Sequence, residues 1–204
     1  MKGLAIIGAL ALAMAGCSTQ AGRGPLEGAT TMCGHGSPLT AADRRELCSA
    51  LGALHEPRLP DDWMTRGTPV YRALLLIPGQ PVTTIRVETA YEPDPGTLTV
   101  RRLSHGHIIL DESVPLAMKD VETFSALVVS SHIEGQPLNS DAPTLVPCKV
   151  PSILVAEAYG NDQYGLTLSH CAAMRPLETF ATGAYQFAAA RLPELKQGLE
   201  QSLD

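Results

Sequence analysis

The sequence predicts an α+β fold, in which one antiparallel sheet carries its helices on one face. Two observations predict this fold. Short strand-like runs follow one another across tight turns in the middle of the chain, and stretches of helical periodicity lie before and after them. Short links join antiparallel strands, whereas parallel strands need a crossover of roughly a dozen residues or more. We therefore expect a four-stranded meander followed by a C-terminal hairpin.

The first predicted element is a helix over residues 41–54. Thr40 is expected to be its N-cap, and Asp43 places a carboxylate in the first turn, where the helix dipole favours a negative charge. Three leucines follow at i, i+4 and i+7 and give this helix one apolar face: Leu47, Leu51 and Leu54. Residues 57–69 contain three prolines and are expected to form an irregular connection.

Four strands are predicted next, because apolar or alternating runs are separated by turns rich in Pro, Gly and Asp. Their expected ranges are 71–77, 82–90, 97–103 and 107–113. The first of these strands is apolar on both faces, whereas the second and third alternate between apolar and polar residues. The meander is expected to come from these four strands.

The C-terminal part of the chain is predicted to contain two helices and a hairpin. Val121, Phe124 and Val128 form a helical stripe, and the sequence Gly160-Asn161-Asp162 is a turn signal between two apolar runs. The expected bounds are a helix from Pro115 to about Ser131, a proline-rich loop over 134–149, strands over 151–159 and 163–169, and a helix from Pro176 to about Leu192.

The N-terminus has the three parts of a secretory signal. Lys2 supplies a positive charge, residues 4–15 are uncharged and apolar, and small residues then lead into Cys17. The apolar stretch is shorter than the roughly 20 residues that a spanning helix needs. The sequence Met14-Ala15-Gly16-Cys17 resembles the signal of bacterial lipoproteins, in which the chain is cut before a cysteine that then carries the lipid. Only the methionine departs from that pattern, since leucine is commonest there.

This resemblance implies the domain organisation and the location of the protein. Residues 1–16 would be a signal peptide, residues 17–32 a flexible tether of mainly Gly, Thr, Ala and Ser with little to bury, and residues 33–204 a single α+β domain. The lipid on Cys17 would hold the protein to a membrane of the cell envelope. In enteric-type sorting, a residue other than Asp after the cysteine, here Ser18, implies the outer membrane, facing the periplasm.

The remaining cysteines predict two disulfides, because an even number of cysteines in an exported chain is typical of paired thiols. They are Cys33, Cys48, Cys148 and Cys171. Of the three pairings that they allow, we expect Cys33–Cys48, which would tie the segment before the first helix to that helix, and Cys148–Cys171. The last two lie almost symmetrically about the hairpin turn, so they should meet at its open end.

Charge and composition argue against several classes of partner. The net charge is −6 at pH 7, whereas nucleic-acid binding needs a basic surface. One Trp, five Tyr and three Phe are too few for platforms on which bases or long sugars stack. Gly22, Gly24 and Gly28 lack the spacing of a phosphate-binding loop. We therefore expect no nucleic-acid partner and no small-molecule cofactor.

Three polar clusters offer metal or catalytic chemistry, and each has a simpler interpretation. They are His105 with His107, Ser131-His132 with Asp111 or Asp120, and Asp61-Asp62 beside Trp63. The two histidines flank a glycine in a predicted turn, and the Ser-His pair lies at a helix end, where adjacent side chains point apart. Adjacent carboxylates seldom face one substrate. We expect no metal site and no catalytic residue among them.

The hairpin tip is the predicted partner contact. Tyr159 and Tyr164 flank the turn, and with Asn161 and Asp162 they would form a rigid protruding element; alternatively, the two rings cover the helix layer. The strand Ile153–Glu157, the tyrosine of the next strand and the Ala-rich closing helix resemble the C-terminal part of uncharacterised proteobacterial envelope proteins, over about 45 residues. This chain lacks the Trp and Arg of those strands, and the resemblance implies no activity.

These features predict a non-catalytic, lipid-anchored envelope lipoprotein that binds a protein or another envelope component. Its partners would be the membrane, through the lipid on Cys17, and an envelope protein. One alternative is an inhibitor or immunity protein that neutralises a periplasmic hydrolase. A cryptic periplasmic hydrolase and an assembly factor for an envelope machine are the others. The sequence does not separate the binding protein from the assembly factor.

Overall fold

The computed structural model describes residues 32–34, 37, 39–59, 68–89, 96–133, 152–160, 163–170 and 175–195. Within these ranges the chain forms three helices and six strands. Their bounds are α1 Ala41–Ala53, β1 Val70–Leu76, β2 Val82–Thr89, β3 Gly96–Ser104, β4 His107–Pro115, α2 Met118–Ser131, β5 Ile153–Gly160, β6 Gln163–His170 and α3 Arg175–Ala189.

The predicted meander and hairpin are both present, and they form one sheet. All neighbouring strands are antiparallel, and their order is β4-β3-β2-β1-β5-β6. The hairpin joins the meander through β5, which pairs with β1. The pairing covers the whole length of β1, from Val70 opposite Tyr159 to Leu76 opposite Ile153. The α+β class and the antiparallel sheet are therefore confirmed, and the sheet continues across both groups of strands.

The prediction that all helices lie on one face of the sheet is wrong. Side chains alternate between the faces of a strand, and on β1 the neighbours Ala73 and Leu74 belong to two different cores. Ala73 packs in the core that contains α2 and α3, whereas Leu74 packs with Leu47 and Leu51 of α1. The apolar character of β1 on both faces is the reason, because each face needs its own cover.

The core beneath α2 and α3 is built around Phe124. Its ring centroid lies 5.1 Å from that of Phe187, 6.1 Å from that of Phe180 and 6.0 Å from that of Tyr71. The two helices approach closely at Gly183, where an added Cβ would lie 2.4 Å from a methyl carbon of Leu127. The absence of a side chain at this position allows α3 to pack against α2.

Helix α1 begins and packs as its sequence predicts. The Thr40 hydroxyl accepts a hydrogen bond from the Asp43 backbone N–H at 3.1 Å, which caps the helix. Leu47, Leu51 and Leu54 are buried. The apolar face of α1 therefore covers β1, β5 and β6 on the side of the sheet opposite to α2 and α3.

The disulfide between Cys33 and Cys48 is confirmed, with their Cα atoms 5.7 Å apart. It holds the segment before α1 against that helix. Cys148 and Cys171 lie outside the described residues, as do the signal segment, Cys17 and most of the tether. The pairing of Cys148 with Cys171 and the lipidation of Cys17 therefore stay predictions. Among the helices within the described ranges, none combines the length and the apolar character needed to cross a bilayer.

Candidate functional site

A buried pair of opposite charges lies on the face of the sheet that α1 covers. Arg72 on β1 stands opposite Glu157 on β5, and both residues are 1% exposed. The Arg72 Nε donates to Glu157 Oε2 at 2.7 Å, and Arg72 Nη2 also donates to this oxygen. Arg72 Nη1 donates to the Pro57 carbonyl at 2.7 Å. Buried charges are costly unless they are paired and hydrogen-bonded, and this pair meets both requirements.

Glu56, just beyond α1, extends this pair into a network with two more strands. Its Oε2 accepts from Arg86 Nη1 at 2.7 Å and lies 3.4 Å from Arg72 Nη1. Its Oε1 accepts from Arg101 Nη1 at 3.3 Å and from the Thr84 hydroxyl at 3.2 Å. The Glu56 side chain is fully buried. One carboxylate thus fixes the segment that follows α1 against three arginines of the sheet.

Tyr164 belongs to the same network. Its hydroxyl donates to Glu157 Oε1 at 2.6 Å and accepts from the Met32 backbone N–H at 3.1 Å. Burial, together with the neighbouring carboxylate of Glu157, raises the pKa of Tyr164 far above its usual range. The phenol therefore stays protonated and acts as a donor that links β6, β5 and the segment before α1.

The two tyrosines of the hairpin are packed inside the domain. Tyr159 is 3% exposed and packs against Leu59 and Val70, and Tyr164 packs against the same small core. Of the two interpretations of these rings, their burial favours packing over presentation to a partner. Asn161 and Asp162 lie outside the described residues, so a partner contact at the tip stays a prediction.

The other sequence candidates do not come together. Among the described residues, no three His, Cys, Asp or Glu side chains converge on a position for a metal ion. His105 lies in the turn between β3 and β4 with φ of 49°, and His107 begins β4. His132 caps the end of α2 with φ of 53°, and the Ser131 hydroxyl donates to the Val128 carbonyl at 2.9 Å. The Asp-Asp-Trp cluster lies outside the described residues.

A groove of about 300 Å³ opens on the other face of the sheet, beside α3. Its floor is a row of cross-strand neighbours, in which Arg102 of β3 stands opposite Thr83, Thr83 opposite Leu75, and Leu75 opposite Leu154 of β5. The remaining lining comes from α3, the turn after β1 and the residue before β5: Glu178, Ala181, Thr182, Tyr185, Ile77, Gln80, Pro81 and Ser152. Most of the exposed surface of the groove is apolar, as is usual for small-molecule sites, although six of the twelve lining residues carry polar or charged side chains.

Arg102 is the unusual residue of this groove. It is 4% exposed, and its Nε is buried without a hydrogen-bond partner. Within the described ranges, neither an ion pair nor a hydrogen bond of Arg102 is found. Its positive charge lies close enough to the Tyr185 phenol to oppose the rise in the pKa of Tyr185 that burial causes. Arg102 thus differs from Arg72, whose buried cation faces two carboxylates.

A second, smaller cavity of about 90 Å³ lies beside the disulfide. Its lining includes Cys33, Cys48, Glu56, Arg72 and Glu157. Three of the four charged residues of this lining, Glu56, Arg72 and Glu157, already bond one another in the network, and the fourth is the exposed Arg58. The small cavity is therefore part of the structural network, and the groove offers both open volume and a cation with no partner among the described residues.

Sequence reasoning missed the residues that define both sites. Arg72 and Glu157 each stand alone as a charged residue inside a strand that is otherwise largely apolar. A charge in a strand that is buried on both faces needs an opposite charge nearby, and that signal was present in the sequence. Arg102 carries a weaker signal, because alternation on β3 places it on the same face as Leu98 and Val100.

Comparison with known proteins adds no assignment. No protein-family model matches the chain, and no curated protein matches it.

Proposed function

We propose that this chain is a lipid-anchored lipoprotein of the bacterial envelope that binds a component of that envelope in the groove beside α3, without converting it chemically. The groove is the single observation that carries the proposal. Its volume of about 300 Å³ lies at the lower end of the range of small-molecule sites, which runs from roughly 300 to 1,000 Å³. The resemblance of the N-terminal segment to lipoprotein signals supports the location.

The proposal includes the features that lie outside the described residues. Cys17 carries the lipid, Cys148 and Cys171 form the second disulfide, and the protein is held at the outer membrane, facing the periplasm. The inhibitor alternative depends on a tethered, disulfide-bonded domain with projecting loops, and the hairpin tip is the predicted contact. Because Tyr159 and Tyr164 pack inward, the groove supports ligand binding better than the tip supports inhibition of a hydrolase.

The lipid anchor predicts the behaviour of a Cys17→Ser variant. Loss of the thiol removes the site of lipidation, so the variant should leave the membrane fraction while its domain stays folded. Fractionation of cells, with labelling by radioactive palmitate, measures this directly. Ser18→Ala is the matched control and should remain lipidated and membrane-bound. Palmitate that persists on the Cys17→Ser chain would contradict the anchor.

The groove predicts that filling it blocks binding. Thr182 lines the groove and is exposed, so Thr182→Trp should occupy the space without disturbing the core. Thr179 is an exposed threonine on the same helix that does not line the groove, which makes Thr179→Trp the matched control. Native mass spectrometry of protein purified from its envelope should show a bound small molecule. We expect Thr182→Trp to lose it and Thr179→Trp to keep it.

The proposed function has two clear opposing outcomes. A bound molecule that survives Thr182→Trp unchanged places binding elsewhere on the protein. A bound molecule whose mass changes with time during incubation with the unmodified protein shows conversion, and then the hydrolase alternative replaces binding.

A further inference from the structure

We infer that the groove beside α3 binds an amphiphile with one acidic head and one apolar chain, the head lying against Arg102. This inference rests on the proposed function and specifies the ligand class of the same groove. The acidic head is a carboxylate or a phosphate ester, as in a fatty acid or a single-chain phospholipid. The two sources share the chemistry that Arg102 recognises, and experiment can separate them.

The burial of Arg102 is the first step. A guanidinium cannot lose its proton in a protein, so a buried arginine must be compensated by a counter-charge or by hydrogen bonds. The other buried arginines have such partners: Arg72 faces Glu157 and Glu56, and Arg86 bonds Glu56. Arg102 is only 4% exposed, and it has no such partner among the described residues. A bound anion would supply the missing counter-charge.

The position of Arg102 is the second step. It lies in the row that forms the floor of the groove, opposite Thr83, and it belongs to the groove lining. The Thr83 hydroxyl already donates to the Pro81 carbonyl at 3.0 Å. Guanidinium groups bind carboxylates and phosphates through two parallel N–H bonds. An acidic head at the floor would therefore be held mainly by Arg102.

The rest of the lining determines the remainder of the ligand. Beyond Arg102, most of the exposed surface of the groove is apolar, and the apolar lining residues are Leu75, Ile77, Pro81, Leu154, Ala181 and Tyr185. The neutral polar side chains of the lining are those of Gln80, Thr83, Ser152 and Thr182. An alkyl chain matches this lining, because it brings no polar groups that need partners. A peptide chain would bring a backbone N–H and C=O at every residue, and each buried one needs a hydrogen bond. The lining therefore favours a lipid-like chain over a peptide.

The charge balance limits the head to a single acidic group. Among the described residues of the lining, Arg102 is the one cation, and Glu178 on α3 adds a carboxylate at an exposed position of the same groove. A ligand with several acidic groups would meet Glu178 and a chain of net charge −6. A cationic amphiphile would meet Arg102. The groove thus selects a single acidic group on an apolar body.

The test uses the full chain with Cys17→Ser, stripped of copurified lipid, and isothermal titration calorimetry below the micellar concentration. The probes are dodecanoate, dodecyl phosphate, dodecanol and dodecyltrimethylammonium. A ligand that lacks the acidic group cannot form the charged hydrogen bond with Arg102, and the loss of such a bond weakens affinity by about tenfold or more. We expect the acidic probes to bind at 1:1, dodecanol to bind at least about tenfold more weakly, and the cationic probe to give no heat. Whichever acidic probe binds more tightly identifies the source of the head.

Two substitutions separate the charge from the groove. Arg102→Gln should abolish the preference for dodecanoate over dodecanol and leave dodecanol binding in place. Arg45→Gln changes the net charge equally at an exposed position on the opposite face of the sheet, and it should retain the preference. Arg102→Met is the check on folding: because it removes a buried charge that lacks a partner, the unliganded variant should melt no lower than the unsubstituted protein.

The outcomes distinguish this inference from the proposed function. If dodecanol and dodecanoate bind equally to the unsubstituted chain, or if Arg102→Gln keeps the preference, the inference is overturned. It is also overturned if none of the probes binds while the native ligand is still lost in Thr182→Trp. In each case the role of the groove in binding stands. If the native ligand survives Thr182→Trp, the proposed function itself fails.

Discussion

Replacement of Glu157 by leucine is expected to lower the free energy of unfolding by about 3–5 kcal/mol, because it leaves a buried cation without its partner. Arg72 would keep its position on β1 with only 1% exposure. Glu56 cannot take over, since it lies 3.4 Å from Arg72 and is already shared with Arg86 and Arg101. Tyr164 would lose the acceptor that its hydroxyl contacts at 2.6 Å.

Urea denaturation, followed by circular dichroism, measures this loss against a total stability of about 5–15 kcal/mol for a domain of this kind. Asp111→Ala is the control, because Asp111 also accepts from an arginine, Arg101 Nε at 2.8 Å, but its side chain is 47% exposed. Solvent screens such a pair, so this substitution should cost less than about 1 kcal/mol. Equal losses in the two variants would show that burial does not set the strength of the Arg72–Glu157 pair.

A double substitution tests the mechanism of the loss. Arg72→Met together with Glu157→Leu replaces the charged pair by apolar side chains of similar size, and such replacements are often neutral or stabilising. The double variant should therefore recover much of the stability that Glu157→Leu loses. A further loss in the double variant would mean that the Arg72 contact with the Pro57 carbonyl matters more than the pair.

The elements of the fold could be predicted from local patterns. The strand ranges, the N-cap at Thr40 and the Cys33–Cys48 bond each depend on residues that are close in sequence. The placement of the helices on both faces was also open to prediction. Because residues 71–77 are apolar on both faces, the strand needs cover on each side, and the one-face prediction conflicts with that pattern.

The sites could not be predicted in the same way, because they depend on contacts between distant residues. Arg72 and Glu157 are 85 positions apart and meet only because β5 pairs with β1. The single charge in each strand indicates that a partner of opposite charge is needed, but it does not specify which strand supplies that partner. Arg102 likewise lies in a groove that α3 completes, and α3 begins at Arg175, far from Arg102 in the sequence. A residue-by-residue pattern shows that Arg102 shares a face with apolar neighbours, but it does not show what covers that face.

The tyrosines of the hairpin illustrate the same limit. Tyr159 and Tyr164 flank a turn, and a turn is commonly exposed. Their rings are nevertheless drawn inward, Tyr159 by Leu59 and Val70 and Tyr164 by hydrogen bonds to Glu157 and to the Met32 backbone. Alternation along β5 and β6 places both rings on the face that α1 covers, and contacts with segments far away in sequence bury them there.

The disulfide between Cys33 and Cys48 is expected to contribute about 3 kcal/mol, which is the value that the chain-entropy model gives for a loop of about 15 residues. The two cysteines are 15 positions apart. The bond holds the segment before α1 against that helix, and the same segment is also held by the hydrogen bond from the Met32 N–H to the Tyr164 hydroxyl. A Cys33→Ser/Cys48→Ser variant should therefore melt several degrees lower and still fold, because the apolar face of α1 remains buried.

The proposed second bond, Cys148–Cys171, provides the matched comparison, since its loop is also short and its model value is similar, about 3 kcal/mol. The losses of the two bonds should add, provided that the two sites do not touch. Peptide mapping under non-reducing conditions identifies the pairing before any melting curve is interpreted. A peptide that joins Cys48 to Cys148 or Cys171 would refute both pairings. Four free thiols in protein from the periplasm would contradict export to an oxidising compartment, and with it the basis on which Cys148 and Cys171 are paired.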